Sequence, residues 1–184
     1  MSKLVSATDC AIILIDVQEK LLPVMSESEQ ILKKITLVLE LAIALELPVI
    51  VSQQYSKGLG ETVDKLQLLL STLKLKSLLH IIEKTKFSLY DNAIDYLKNL
   101  DKRQLIIMGI ESHICVLQSA VELSDEFDVF VVEDTVSSTQ KNFKDLAIDR
   151  LGQLGIQIIN TQMLGFELLG GSHHTEFKNF SKKI

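Results

Sequence analysis

Short, mostly apolar runs alternate with longer stretches of mixed apolar and charged positions along most of the chain. The first run, CAIILI at positions 10 to 15, is rich in β-branched residues and stops at Asp16. Six continuous apolar positions describe a strand covered on both faces, not one that alternates between core and water. The runs PVIVS, LHII at 79 to 82, QLIIM at 104 to 108, DVFVV at 128 to 132 and IQII at 156 to 159 repeat the pattern. Between them, positions 28 to 46, dense in Leu, Lys and Glu, read as a helix, and 62 to 76, 91 to 99, 112 to 124 and 142 to 154 read as further helical segments. Gly155 acts as a helix stop, and a last helical piece begins near Thr161 and breaks at Gly170-Gly171.

Six buried strands separated by helices predict an α/β fold: a three-layer, doubly wound arrangement around a six-stranded, mainly parallel sheet. Right-handed crossovers restrict the winding, and the strand order expected is 3-2-1-4-5-6, with helices on both faces. No repeat, low-complexity segment or Pro-rich linker divides positions 1 to 184, so a single domain is expected. The tail from 171 to 184, rich in His, Lys and Phe, reads as a C-terminal extension or an oligomer contact.

Composition narrows the function classes. The 184 residues are 47% hydrophobic and 23% charged, with a net charge of -5 and no basic stripe, which speaks against a nucleic-acid partner. Cys10 and Cys115 alone make no disulfide framework, so reducing surroundings are the simpler inference. The start, MSKLVSATDC, lacks a long apolar signal core, and the run at 10 to 15 is too short for a membrane span. A cytoplasmic protein with no membrane partner is expected.

In an open parallel sheet, ligands bind beyond the carboxyl ends of the strands, where the winding reverses. The residues there include Asp16 and Gln18 after strand one and Ser52-Gln53-Gln54-Tyr55 after strand two. Glu83-Lys84-Thr85-Lys86 follow strand three, and Gly109 to Cys115 follow strand four. With the expected order, Asp16 and Cys115 share one crevice and Lys84 reaches in from strand three. The combination suits acyl transfer. A helix N-terminus and a nearby lysine would favour the Cys115 thiolate, Asp16 could shuttle the proton, and the N–H groups of the Gly109 to Cys115 turn could hold an oxyanion. Taken singly, each residue has a plainer reading. A lone cysteine is usually buried filling, Asp16 would cap a turn, and Lys84 and Lys86 would be solvated charges. Cys10, opening a buried strand, keeps the plain reading.

Together the motifs resemble the isochorismatase-like hydrolase superfamily, near the branch of isochorismatase domain-containing proteins. AIILIDVQEKLLP, EKTKFSLY and IIMGIESHICVLQSA carry the likeness, supported by SQQYSKGLG and VVEDTVSS, in the family's order over nearly the whole length. The resemblance implies Asp16 as acid/base, Cys115 as nucleophile, and Lys84, four positions before Ser88, as the orienting cation, with Lys86 its rival. It also implies a non-proline cis peptide at Ile110-Glu111 that aims the N–H of Glu111, with that of Cys115, at an oxyanion. Gln18, Gln53, Tyr55, Ser88 and Ser112 are candidate pocket residues, a small molecule is the expected substrate, and a homo-oligomer is expected from the family.

Two departures matter. Nicotinamidases of the superfamily hold a metal through an Asp and histidines after strand two, where this chain has Ser52-Gln53-Gln54-Tyr55; no metal and no cofactor are expected. Isochorismate-cleaving members use no cysteine, so Cys115 points away from that reaction. The expected activity is a cysteine-dependent, metal-independent amidohydrolase cleaving a small amide or carbamoyl C–N bond through a thioester. The alternative is a catalytically silent binding or scaffold protein that keeps the fold.

Overall fold

A computed structural model describes residues 4–184. Its six strands are β1 (Cys10–Ile15), β2 (Val49–Gln54), β3 (Leu79–Lys84), β4 (Gln104–Ile110), β5 (Asp128–Ser137) and β6 (Gln157–Ile159). They form one sheet in the order β3-β2-β1-β4-β5-β6, with every neighbouring pair parallel. The α/β architecture and winding are those the apolar runs imply. The order reverses between β1 and β4, so the carboxyl ends of these central strands border the crevice where such sheets bind ligands.

Alternation along each strand divides the core into two layers. Ile12, Leu14, Ile106 and Met108 face α1 (Ser28–Ala44), α3 (Asp64–Leu75) and α7 (Thr161–Leu169). Ala11, Ile13, Ile15, Leu105 and Ile107 face α4 (Tyr90–Asn99), α5 (Leu117–Leu123) and α6 (Lys141–Gln153). A short helix, α2 (Ser56–Leu59), sits in the loop after β2. Among the described residues, no helix is long and apolar enough to cross a membrane.

Three local differences from the sequence reading have physical causes. First, β5 runs on to Ser137, five residues past the apolar run, because the chain bulges: Ile107 pairs with Val131 but Gly109 pairs with Val136. The Thr135 hydroxyl donates to the Val132 carbonyl (2.7 Å) inside that bulge, so the polar Glu133-Asp134 pair interrupts the ladder without ending it. Second, the expected helix after β4 opens as a π-helical turn, Ser112–Val116, before α5. The Val116 N–H reaches back five positions to the Glu111 carbonyl (3.2 Å). Third, the tail folds back through α8 (Phe177–Ser181) and buries Phe180 in the layer of α1 and α7. A Cβ on Gly165 would come within 1.9 Å of the Phe180 ring, so α7 carries glycine where the tail docks. The Phe180 side chain is therefore spent inside this chain and is not left over for an oligomer contact.

Candidate active site

Asp16 is the first residue beyond β1 and takes a left-handed backbone (φ 53°), which Asp tolerates better than most side chains. The Gln18 N–H closes the tight turn onto the Asp16 carbonyl (2.7 Å), and the Asp16 N–H remains tied to β2 through the Ser52 carbonyl (3.1 Å). The Asp16 carboxylate is wholly buried and matched on both oxygens. Ser52 Oγ donates to Oδ1 (2.7 Å) and Lys84 Nζ donates to Oδ2 (2.7 Å). Lys84 is equally buried, and its ammonium also donates to Gln54 Oε1 (2.7 Å) and to the carbonyls of Phe87 (2.9 Å) and Lys86 (3.3 Å). An unpaired charge at this depth would be very unfavourable; the pair with its surrounding hydrogen bonds removes that cost.

The two lysines occupy different surroundings. Lys84 ends β3 on its buried side, whereas Lys86 is exposed and pairs with Asp91. Cys115 lies in the π turn beyond β4, 6% exposed, close enough that the Asp16 carboxylate raises its thiol pKa and the Lys84 ammonium lowers it. The thiol, carboxylate and ammonium thus converge from three strand ends. Close approach of β1 and β4 makes this convergence possible. Ile15 pairs with Gly109, and a Cβ at Gly109 would lie 2.1 Å from the Ile15 carbonyl oxygen, with φ at 127°. Only glycine fits there without displacing β1.

Two expectations are corrected. The Ile110–Glu111 peptide is trans, as are the other described peptide bonds. A trans bond is lower by about 3 kcal/mol for a non-proline residue, and here Gly109 and the π turn redirect the chain instead. The Cys115 thiol, moreover, is not poised as a thiolate: it is pushed up to about 12, by burial first and then by the Asp16 carboxylate, while Lys84 pulls it down. The lysine cannot prevail because its charge is already matched by Asp16, which leaves desolvation in command. Cys10, fully buried at the start of β1, is also pushed up to about 12, chiefly by burial.

The candidate pocket residues take up distinct positions. Gln18 is engaged at both ends of its amide. Its Nε2 donates to the carbonyls of Gln54 (3.1 Å) and Gly60 (2.6 Å), and its Oε1 accepts from the Gln54 N–H (2.7 Å). Gln53 points to the other sheet face and donates to Thr62 Oγ1 (3.1 Å). Ser88 Oγ accepts from the Tyr90 N–H at the start of α4 and donates to Glu122 Oε2 (2.6 Å). Ser112 is buried with its Oγ 2.5 Å from Ser138 Oγ. Tyr55 remains 54% exposed beside the end of β3, its N–H bonded to the Lys84 carbonyl (3.0 Å). Ser52 and Gln54, which hold Asp16 and Lys84, escaped singling out from sequence. The signal was available: alternation in β2 puts 52 and 54 on one face and 53 on the other.

Among the described residues, no three His, Cys, Asp or Glu side chains gather into a metal-holding group. Besides Asp16, the acceptors around the Lys84 ammonium are one side-chain amide oxygen and two backbone carbonyls, as suits a fully protonated amine donor.

Residues 10–163 match the family model for the isochorismatase domain. The chain belongs to the isochorismatase family. Isochorismatase family protein 1A of Dictyostelium discoideum is 37% identical over 139 residues, which is 73% of this chain and 66% of that protein. The chain therefore spans slightly under two thirds of that relative's length. Among solved structures, the MAR1 ribonuclease of Caenorhabditis elegans is 33% identical, with a TM-score of 0.86 over 98% of this chain and 92% of its own. YcaC from Pseudomonas aeruginosa, solved with hexane-2,5-diol and covalent acrylamide, shares the fold. Its TM-score is 0.89 at 23% identity, over 100% of this chain and 92% of its own. Within the isochorismatase family frame, Asp16, Lys84 and Cys115 all fall inside the matched residues.

Proposed function

We propose that this isochorismatase-family protein is a cysteine-dependent, metal-independent hydrolase of a small amide or carbamoyl-type C–N bond. The observation that carries the reading is the buried Asp16–Lys84 pair acting on the Cys115 thiol. Because the resting thiol is protonated, attack is coupled to proton transfer. As Cys115 Sγ bonds to the substrate carbonyl carbon, its proton moves to the Asp16 carboxylate. Lys84 stays an ammonium group and keeps Asp16 oriented. The Ile114 and Val116 N–H groups of the Ser112–Val116 turn serve the Glu111 carbonyl, and the remaining N–H groups of that turn are the donors assigned to the developing oxyanion. Asp16 then gives the proton to the departing nitrogen, the C–N bond breaks, and a thioester remains. Water attacks it, Asp16 takes the water proton and returns it to the sulfur, and the acid is released. The covalent acrylamide held by YcaC, a protein of the same fold, supports an electrophile-accepting site in this architecture.

A second reading, ribonuclease activity, is favoured by the name of the C. elegans relative at 33% identity. The net charge of -5 and the neutral Asp16–Lys84 unit weigh against a polyanionic substrate. Both readings meet one experiment. The purified protein is incubated with a panel of small amides, ureides and carbamoyl compounds, and separately with RNA, following ammonia release and RNA length. Ammonia release that disappears in Cys115→Ala and Asp16→Asn supports the amidohydrolase. RNA cleavage that survives Cys115→Ala, or no turnover of any amide, overturns it; the latter with intact folding favours a silent scaffold.

A further inference from the structure

β3 ends the sheet on one side, so every second residue along it turns its backbone hydrogen-bonding groups away from β2. The Leu78 carbonyl accepts from the Val49 N–H (2.7 Å), and the Lys84 carbonyl accepts from the Tyr55 N–H (3.0 Å). Backbone direction alternates along a strand, so His80 and Ile82 also face β2, while Leu79, Ile81 and Glu83 face outward. Among the described residues, the outward N–H and C=O groups of Leu79 and Ile81 have no hydrogen-bond partner. The Glu83 carbonyl accepts one long bond from Asn92 Nδ2 (3.4 Å), which leaves it a second lone pair. Open edges are commonly blunted by proline, a bulge or a lysine at mid-strand. The middle of β3 is His80-Ile81-Ile82, which has none of these.

The two faces beside this edge differ. On the α4 side it is closed, with the His80 ring stacked on Tyr96 at a centroid distance of 3.8 Å. On the α3 side, a groove of about 180 Å³ runs between helix and strand and includes Leu70, Leu79 and Ile81 in its lining. Ile81 is 52% exposed. Leu68 and Leu75 are helical neighbours of Ser71, which also lines the groove. They are 78% and 88% exposed, the two highest values among the described large apolar side chains. Apolar surface of this kind beside an open strand marks an association site.

The groove also carries an acid and a base, Glu61 and Lys74. Among the described residues, neither has an ion-pair partner. They sit on opposite sides of Ile81. Thr62 accepts from Gln53, which is in register with Glu83, whereas the Leu78 N–H bonds the Leu73 carbonyl. Glu61 therefore lies toward the carboxyl end of β3 and Lys74 toward its amino end.

We propose that this edge takes a second copy of the chain, the two β3 strands running antiparallel about a two-fold axis at Ile81. That register is self-complementary. Ile81 meets Ile81 of the second copy, and Leu79 meets Glu83 of the second copy, each pair exchanging both backbone hydrogen bonds. The rotation keeps both α3 helices on one face of the joined sheet and turns Glu61 of each copy toward Lys74 of the other. A charge pattern that matches itself singles out a second copy over an unrelated extended peptide. The strand covered in this way is the one that delivers Lys84.

Sedimentation velocity on the full chain over a range of concentrations measures the association, and hydrogen–deuterium exchange locates it. A dimer, or a larger assembly that contains it, is expected. Ile81→Lys sets two ammonium groups directly opposite each other and should weaken the pairing at least about tenfold. Glu61→Lys and Lys74→Glu should each weaken it, and the double exchange should restore it. In the native chain, the Leu79 and Ile81 amides should exchange faster on dilution to monomer, while His80 and Ile82 keep their protection. A chain that stays monomeric throughout overturns the proposal, as does an assembly that Ile81→Lys leaves intact. Rapid exchange of Leu79 and Ile81 within the associated protein overturns it as well. So does protection of those two amides only when a foreign extended peptide is added, which would assign the edge to a different partner.

Discussion

Alkylation of Cys115 across pH tests whether the nucleophile is prepared in advance or only when substrate arrives. With the thiol pushed up to about 12, roughly one molecule in 10,000 is ionised at pH 8, against about a quarter of a free cysteine near 8.5. The deficit in thiolate is about 3.4 powers of ten. A more basic thiolate is also a better nucleophile, with a Brønsted slope of about 0.4–0.5, which recovers about 1.5 powers. Iodoacetamide should therefore modify Cys115 roughly 50- to 100-fold more slowly than it modifies glutathione at pH 8. Steric shielding lowers the rate equally at every pH, so the slope is diagnostic. It should rise about tenfold per pH unit up to pH 10 without levelling. Peptide mapping by mass spectrometry separates Cys115 from Cys10, which is buried and equally shifted. Asp16→Asn removes both influences by which Asp16 raises the thiol and leaves Lys84 lowering it, so Cys115 moves down and alkylation at pH 8 accelerates. Amide turnover disappears in the same variant, because the proton acceptor is gone. A rate that plateaus below pH 9, or an Asp16→Asn variant that alkylates more slowly, would refute the coupled proton transfer.

Two further outcomes follow from packing. Lys84→Met leaves the Asp16 carboxylate buried and unpaired, at a cost of about 3–5 kcal/mol, or roughly 6–20 °C in Tm for a domain of this size. The double variant Asp16→Leu/Lys84→Met should lose less than Lys84→Met alone, and thermal unfolding followed by circular dichroism decides between them. If the single variant costs under about 1 kcal/mol, the pair is not the closed unit described. Gly109→Ala forces a Cβ to 2.1 Å from the Ile15 carbonyl at a φ of 127°, so β1 and β4 must separate. A loss of at least about 2 kcal/mol is expected in urea unfolding, together with loss of any Cys115-dependent activity. Native stability in that variant would mean the two strands do not press together at the site.

The apolar runs at 10 to 15 and 104 to 108 specify buried strands wherever they end up, because hydrophobic content and spacing are local properties of the chain. The same runs bring Asp16, Lys84 and the Cys115 turn to one edge, since each follows a strand and parallel strands share a carboxyl end. The match of β2 alternation to Ser52 and Gln54 belongs to this local layer as well. The acidity of Cys115 does not. It depends on how much water the closed fold excludes, and on Asp16 meeting Lys84, 68 positions away, so that the cation is neutralised before it can help the thiol. The continuation of β5 beyond its polar pair, the docking of Phe180 against Gly165 and the open edge of β3 are of the same kind. A sequence lists donors, acceptors and volumes. Which of them remain unpaired is decided only when distant segments pack, because hydrogen bonds and desolvation act over a few ångströms of space whatever the separation along the chain.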